Sequence, residues 1–249
     1  MIIGTYESNL LIKNITDIYL NLINRTDCIT QTIIFLSNNL KEDYYILTNK
    51  TSSINFSGLT IPPATKEDKI IVLVDSSDIN FVFNLIHELT HACDMIDFAK
   101  LYCQQNIHEI EQHPLYQLFV YWMEFHVKLY DLPFSNVVID YITTENTNTK
   151  ESYENFIAQI PIFYYPKITE KILKKNPFSV AKRDIMYYLG EIISLNTHDK
   201  NHEYDIDNTV ILRYSHICDM KATYLLLQEC LNLQSFSENI QSLSELLLY

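Results

Sequence analysis

The stretch NLIHELTHACDMID, residues 84–97, decides how the rest of the chain is interpreted, because it carries two histidines four residues apart. On an α-helix, residues at this spacing lie about 40° from one another around the axis, so His87 and His91 project from one face. Two imidazole nitrogens on one face can reach the same Zn²⁺ at about 2.0–2.1 Å. The spacing therefore favours a metal-binding helix over an ordinary polar helix face.

Glu88 directly follows the first histidine and lies about 100° further round the helix, beside the metal position and not on it. A carboxylate there can accept a proton from water at the metal and pass it to a leaving amine. Apolar residues form a stripe on a different face, so the helix can be anchored in a core while its polar face lines a cleft. This stripe consists of Val82, Ile86, Leu89, Cys93 and Ile96.

Composition narrows the classes of function that the chain can have. Its hydrophobic content of 47% over 249 residues is that of a globular protein, and its net charge is −13. A chain this acidic is repelled by nucleic acid and by anionic membranes, so we expect neither as a partner. Only three glycines occur, which excludes the glycine-rich loops that bind phosphate groups and dinucleotides.

The cysteines and the first residues of the chain indicate the cellular compartment in which the protein is expected. The five cysteines are odd in number and no pair shows the C-x-x-C spacing, so neither a disulfide framework nor a cysteine zinc cluster is expected. The beginning, MIIGTYESN, lacks the basic and apolar regions of a signal peptide. No apolar run reaches the roughly 18 residues of a membrane span. We therefore expect a protein of a reducing compartment, the cytoplasm.

Hydrophobic periodicity predicts an α+β fold, in which strands and helices occur in the first part of the chain and mainly helices in the second. Residues 1–103 are expected to form an N-terminal α/β lobe with a small mixed sheet and the helix of the two histidines. Residues 104–249 are expected to form a mainly helical lobe, and both lobes to belong to one domain. The predicted strands are 30–37, 44–49 and 69–77. The predicted helices are 9–25, 80–102, 115–130, 151–160, 167–174, 180–195, 207–230 and 236–248.

The sequence HELTHACD, residues 87–94, resembles the active-site helix of the zincin metallopeptidases. Its first six residues read like the thermolysin-like enzymes, and the whole run is similar to the H-E-x-x-H-x-x-D pattern of bacterial collagenases. Both groups are gluzincins, in which a glutamate on a later helix is the third zinc ligand. The resemblance covers about residues 80–130 and implies a zincin-like fold, a Zn²⁺ cofactor and Glu88 as the catalytic base.

The third ligand has to come from elsewhere in the chain, because a catalytic zinc site needs three protein ligands and one open position. Asp97 stands where the metzincin pattern places its ligand, but that pattern also needs a glycine where this chain has Asp94. On a continuing helix, Asp97 points about 120° away from His91. Asp97 is therefore rejected as a ligand.

Glu124 is the strongest candidate for the third ligand. It interrupts the otherwise apolar stretch LFVYWMEFHV, where a carboxylate is costly unless it is paired or bound to a metal. It follows His91 by 33 residues, which is compatible with the gluzincin pattern, although the thermolysin-type N-E-x-x-S-D is absent. The alternative is an ordinary pair of Glu124 with Lys128 one turn later. A fallback cluster comprises His108, Glu109, Glu111 and His113.

Four further residues are candidates for roles near the metal. Asp94 shares the face of His87 but lies about 10 Å along the helix, so it suits a place beside the ligands or in the substrate cleft. The alternative for Asp94 is a solvated or capping residue. His126, Tyr214 and His216 are candidate donors to the oxyanion of the attacked carbonyl, and simple packing is the alternative for each of them.

Two functions remain open at this point. The first is a zinc metallopeptidase that hydrolyses a protein or peptide substrate, which would add in extended form along the strand KIIVLVDSS, residues 69–77. The second is a binding module with the zincin fold, in which the metal is structural or lost. The intact Glu88 favours the enzyme, because a purely structural site has no use for a base.

Overall fold

The computed structural model describes residues 2–51, 56–144 and 148–248. Its strands are β1 Ile2–Thr5, β2 Thr32–Ser37, β3 Gly58–Ile61 and β4 Ile70–Asp75. Its α-helices are α1 Leu10–Leu22, α2 Leu40–Thr48, α3 Phe81–Tyr102, α4 Tyr116–His126, α5 Asp131–Thr144, α6 Thr149–Gln159, α7 Tyr165–Leu173, α8 Lys182–His198, α9 Asn208–Tyr214, α10 Met220–Leu227, α11 Leu233–Glu238 and α12 Ile240–Leu247. With 66% helix and one small mixed sheet, the chain has the predicted α+β class.

The chain divides into two compact units. The first comprises Met1–His113 with Phe134–Thr147, and the second comprises Pro114–Pro133 with Asn148–Tyr249. The expectation of a single domain over residues 1–249 stays a prediction. None of the described helices is both long and apolar enough to cross a membrane.

The first unit contains the sheet, whose strand order is β1-β2-β4-β3. The central pair, β2 and β4, is parallel, whereas β1 and β3 pair with them in antiparallel fashion. The run IIVLVD of β4 is buried at Ile70, Val72, Leu73 and Val74, as expected of a strand covered on both faces. Because β4 pairs on both sides, it has no open edge, and the expectation that a substrate adds along residues 69–77 is wrong.

The helix α3 packs against β3 and β4 and has the predicted position. Its apolar stripe is buried, with Val82, Ile86, Leu89, Cys93 and Ile96 each at most 7% exposed. The stripe that the sequence predicted therefore anchors α3 in the core.

The prediction of a strand at residues 44–49 is wrong, since these residues belong to α2. Asn39 caps this helix: its side chain accepts a hydrogen bond from the backbone of Glu42 and donates one to the Glu42 carboxylate. Asp43 is buried and accepts a hydrogen bond of 2.6 Å from Ser37. These capping contacts outweigh the β-propensity of the apolar run YYIL.

In the second unit, α4 and α8 pack closely together. Gly190 on α8 permits this approach, because a Cβ there would stand 2.7 Å from the carbonyl oxygen of Phe125 and 2.9 Å from Cβ of Lys128. Trp122 is buried and donates its indole N–H to the carbonyl of Cys230 at 2.8 Å. Together these contacts fix how α4 is rotated, and so where Glu124 points.

Some of the helix predictions need correction. The apolar helix of 115–130 ends at His126 and continues as a short 3₁₀ segment, Val127–Leu129. The next helix, α5, was not predicted; Pro133 occupies its first turn, where the missing N–H of proline costs nothing. The predicted helix 207–230 is two helices, α9 and α10, since Asp219 caps the backbone N–H of Ala222 and begins a new helix.

Candidate metal centre

His87 and His91 lie next to each other on α3, as their spacing predicts. Their ring centroids are 4.6 Å apart and their planes are nearly perpendicular, at 86°. His91 is buried and His87 is half-buried. The two rings thus project from one helix face, and the half-buried ring of His87 leaves partial access for solvent or a ligand.

Glu88 contacts the sheet through its side chain. It is buried, and its Oε2 accepts a hydrogen bond of 2.8 Å from the hydroxyl of Thr60 on β3. Gly58, two residues earlier on β3, lies against the side chain of Glu88. The predicted place of Glu88 beside the metal stays a prediction.

Glu124 is buried within the apolar surface of α4. Its Oε1 lies 2.9 Å from Nε of Arg183 on α8. Lys128, the alternative partner considered from the sequence, instead pairs with Asp131 at 2.5 Å. Burial lowers the pKa of Lys128, but the carboxylates around it, Asp131 first, outweigh this and raise it overall.

The structure brings His87, His91 and Glu124 together. One ligand atom from each residue can be chosen so that all three lie within 4.8 Å of one another. Two imidazole nitrogens and one carboxylate oxygen form the donor set of catalytic zinc sites that have three protein ligands. The same donor types also accept other divalent transition metals, so the cluster could hold a metal ion without fixing which one.

Asp97 is engaged in an ion pair on another side of α3. Arg25 contacts both of its carboxylate oxygens, with Nη1 2.7 Å from Oδ2 and Nη2 3.1 Å from Oδ1. Such a two-point contact fixes the carboxylate firmly. The rejection of Asp97 as a ligand agrees with this geometry.

The fallback cluster does not form a metal site in the part of the chain that the structure describes. Its residues lie on or next to the 3₁₀ segment Ile107–Gln112, and among the described residues only the trio on α3 and α4 is close enough to share a metal. Asp94 is buried, at 4% exposure, which rules out the solvated alternative. Its place beside the ligands stays a prediction.

The three candidate oxyanion donors lie in different surroundings. His126 is buried and stacks on Trp122, with centroids 4.4 Å apart and planes 15° apart. Tyr214 is fully buried and donates its hydroxyl proton to the carbonyl of Ile172 at 2.8 Å. His216 is exposed in the turn after α9, not on a helix. The contacts of His126 and Tyr214 favour the packing alternative over a catalytic role.

Two residues near Glu124 were missed from the sequence. Arg183 on α8 contacts Glu124, and its guanidinium also donates to the hydroxyl of Tyr187, with Nη2 at 2.9 Å. Burial and the neighbouring Glu124 carboxylate raise the pKa of Tyr187, so its hydroxyl keeps its proton at neutral pH. The one signal in the sequence was their spacing of four residues within a predicted helix.

Comparisons with protein-family models, with curated proteins and with solved structures found no match for this chain. The similarity to the gluzincins therefore rests on the residues of α3 and on Glu124, and the zincin fold itself stays a prediction.

Proposed function

We propose that this chain is a zinc-dependent metallopeptidase that hydrolyses peptide bonds of a protein or peptide substrate. The observation that supports it most is that one ligand atom each of His87, His91 and Glu124 lie within 4.8 Å of one another, while Glu88, a further buried carboxylate, directly follows His87. A purely structural site has no use for this additional buried carboxylate. The proposal also agrees with the motif HELTH, in which each of these residues on α3 has a role.

In the proposed mechanism, His87, His91 and Glu124 hold the metal. When bound, zinc supplies Lewis-acid chemistry, which polarises a carbonyl and makes water more acidic. Glu88 takes the proton from the attacking water and then donates it to the nitrogen of the leaving amine. Both proton transfers fit one carboxylate, because the proton that it accepts in the first step is the proton that it gives in the second.

Arg183 and Tyr187 are the donors that we propose for the oxyanion of the attacked carbonyl. Their hydrogen-bonding groups lie next to Glu124, the proposed ligand on α4. The Tyr187 hydroxyl retains its proton and the guanidinium is permanently charged, so both can donate to a developing negative charge. We prefer them to His126 and Tyr214 because they contact the proposed ligand Glu124, whereas His126 stacks on Trp122 and Tyr214 donates to a backbone carbonyl.

The substrate binds, in this proposal, along β3 in place of the strand expected from the sequence. In the described sheet β3 is an end strand, paired with β4 on one side only. An extended peptide can add to such an edge through main-chain hydrogen bonds. Because Thr60 of β3 contacts Glu88, a peptide on this edge would lie close to the proposed base.

Replacement of Glu88 by Gln tests the proposal, because Gln keeps the shape of the side chain but cannot accept the proton. We expect Glu88→Gln to retain zinc and to lose activity on a peptide library by about 10²–10⁴-fold. Asp97→Asn is the matched control, since it makes the same chemical change on the same helix at an ion pair with Arg25. It should cleave like the wild type.

Two outcomes would contradict the enzyme. Equal cleavage by Glu88→Gln and wild type would mean that another base or a contaminant is responsible. A wild type that holds metal but cleaves nothing, in the library or in host-cell lysate, would favour the alternative of a binding module with a structural metal.

A further inference from the structure

Two residues of β3 form a slot that holds the side chain of Glu88. Gly58 and Thr60 are two positions apart on the strand, so they face the same side of the sheet. Thr60 Oγ1 lies 2.8 Å from Oε2 of Glu88, and Oε1 lies 3.1 Å from the position that a Cβ on Gly58 would occupy. One oxygen of the carboxylate thus accepts a hydrogen bond from Thr60, and the other lies over Gly58, which has no side chain.

Thr60 contacts Glu88 at two points. Its hydroxyl lies 2.8 Å from the carboxylate and also 2.8 Å from the backbone carbonyl oxygen of Glu88. One hydroxyl has one proton, which it donates to one of these acceptors at a time or shares between them. Thr60 is buried at 8% exposure, and its β-branched side chain has few rotamers. The direction of this donor is therefore fixed by the strand.

Gly58 provides the space for the carboxylate. A Cβ at this position would stand 2.8 Å from Cγ of Glu88, closer than non-bonded carbon atoms approach. Gly58 pairs with Val74 in the sheet and has no positive φ, so close approach explains the glycine here and conformational freedom does not. Any larger residue would push Glu88 out of the Gly58–Thr60 slot.

We infer that Thr60 is a positioning residue, which with the space left by Gly58 holds the carboxylate of Glu88 in the orientation for proton transfer. This inference rests on the proposed function, in which Glu88 is the base. With Oε2 held by Thr60, Oε1 accepts the proton of the attacking water and later releases it to the amine. A misplacement of about 1 Å at such a group can lower the rate by about 10²-fold.

Thr60→Val removes the hydroxyl and preserves the shape, so it tests the inference directly. We expect kcat on a peptide substrate to fall by about 10–100-fold, with KM and zinc content unchanged. Thr60→Ser should recover most of kcat, because it restores the donor. The matched control is Thr32→Val on β2, another buried threonine of the sheet, whose hydroxyl donates to the carbonyl of Cys28. It should keep the kcat of the wild type.

Gly58→Ala tests the other half of the slot and leaves the hydroxyl in place. It should also lower kcat and retain zinc, so it serves as the test if thermal unfolding shows that Thr60→Val is not folded. In the Glu88→Gln background, Thr60→Val should cause no further loss of activity, because the base that it positions is already absent.

Wild-type kcat in Thr60→Val, or an equal loss in Thr60→Val and Thr32→Val, would overturn the positioning role while leaving the proposed function intact. A wild type that hydrolyses no peptide would instead overturn the proposed function, and the positioning role with it. The two failures are therefore distinguishable by the activity of the wild type.

Discussion

Arg183 on α8 forms an ion pair with Glu124 on α4, with 2.9 Å between Nε and Oε1. Glu124 is also the carboxylate of the cluster with His87 and His91. A buried carboxylate is costly without a compensating charge. Arg183, whose side chain is about half exposed, supplies that charge. The same guanidinium contacts Tyr187, so one arginine connects the proposed ligand with the proposed oxyanion donor.

Glu124 should be necessary for metal binding, because it is the carboxylate of the cluster. Loss of a residue that merely supports a metal ligand typically weakens binding or activity about 10–100-fold. We therefore expect Glu124→Ala to raise the Kd for zinc by more than about 100-fold, measured by competition with a chelating dye. Asp97→Ala should leave the Kd unchanged, and equal affinity in Glu124→Ala and wild type would show that the third ligand is another residue.

Tyr187→Phe and Arg183→Ala should lose activity even at saturating zinc. Both side chains interact with Glu124, so saturating zinc separates the loss of an oxyanion donor from weaker metal binding. Removal of one oxyanion donor typically lowers kcat by about 10²–10³-fold. Tyr188→Phe is the matched control, since Tyr188 is the next residue of α8 and its hydroxyl accepts a hydrogen bond from the backbone of Asp207. Steady-state kinetics would refute the assignment if Tyr187→Phe matched Tyr188→Phe in kcat.

Gly190→Ala should destabilise the protein, because the new methyl group would stand 2.7 Å from the carbonyl oxygen of Phe125. Such overpacking costs about 1–3 kcal/mol, more than the roughly 0.5–1 kcal/mol that Ala gains over Gly in a helix. Thermal unfolding would measure the loss. Gly4→Ala is the control, since a Cβ there is 3.5 Å from its nearest neighbour, and an equal Tm in both variants would contradict the close approach of α4 and α8.

Stability should fall as the solution becomes mildly acidic, and His198 should contribute to the loss. Burial lowers the pKa of His198 from its ordinary value of 6.5, against a smaller opposing effect of its contact with the carbonyl of Leu129. The unfolded state then binds more protons than the folded state just below about pH 6.5, so stability decreases as pH falls through that region.

Chemical unfolding at about pH 7.5 and about pH 5.5, with a chelator present to remove metal-linked effects, would measure this dependence. His198→Gln should have a smaller difference between the two pH values than the wild type. His216→Gln, at an exposed histidine, should keep the wild-type difference. An unchanged difference in His198→Gln would mean that His198 does not contribute.

The positions of α3 and β4 could be predicted because their periodicity is strong and agrees with their packing. Glu124 could also be predicted as a member of the cluster, because a carboxylate within an apolar helix is costly unless it is paired or bound to a metal. The edge strand β3 could not, because four residues that begin with a glycine give little periodic pattern.

Arg183, Tyr187 and Thr60 were missed for a different reason. Each acquires its role from a contact between elements that are distant in sequence. Thr60, for example, is 28 residues from Glu88 along the chain. Spacing within a single helix or strand carries no information on such contacts. Gly58 was the available signal, since a glycine within a strand often marks a close approach of another group.

The metal content of the protein tests the central claim most directly. Protein purified without a chelator should contain about one equivalent of zinc per chain by elemental mass spectrometry, and His91→Ala should contain almost none. Less than about a tenth of an equivalent in the wild type, with no uptake when zinc is added, would contradict the metal centre and every step of the mechanism that depends on it.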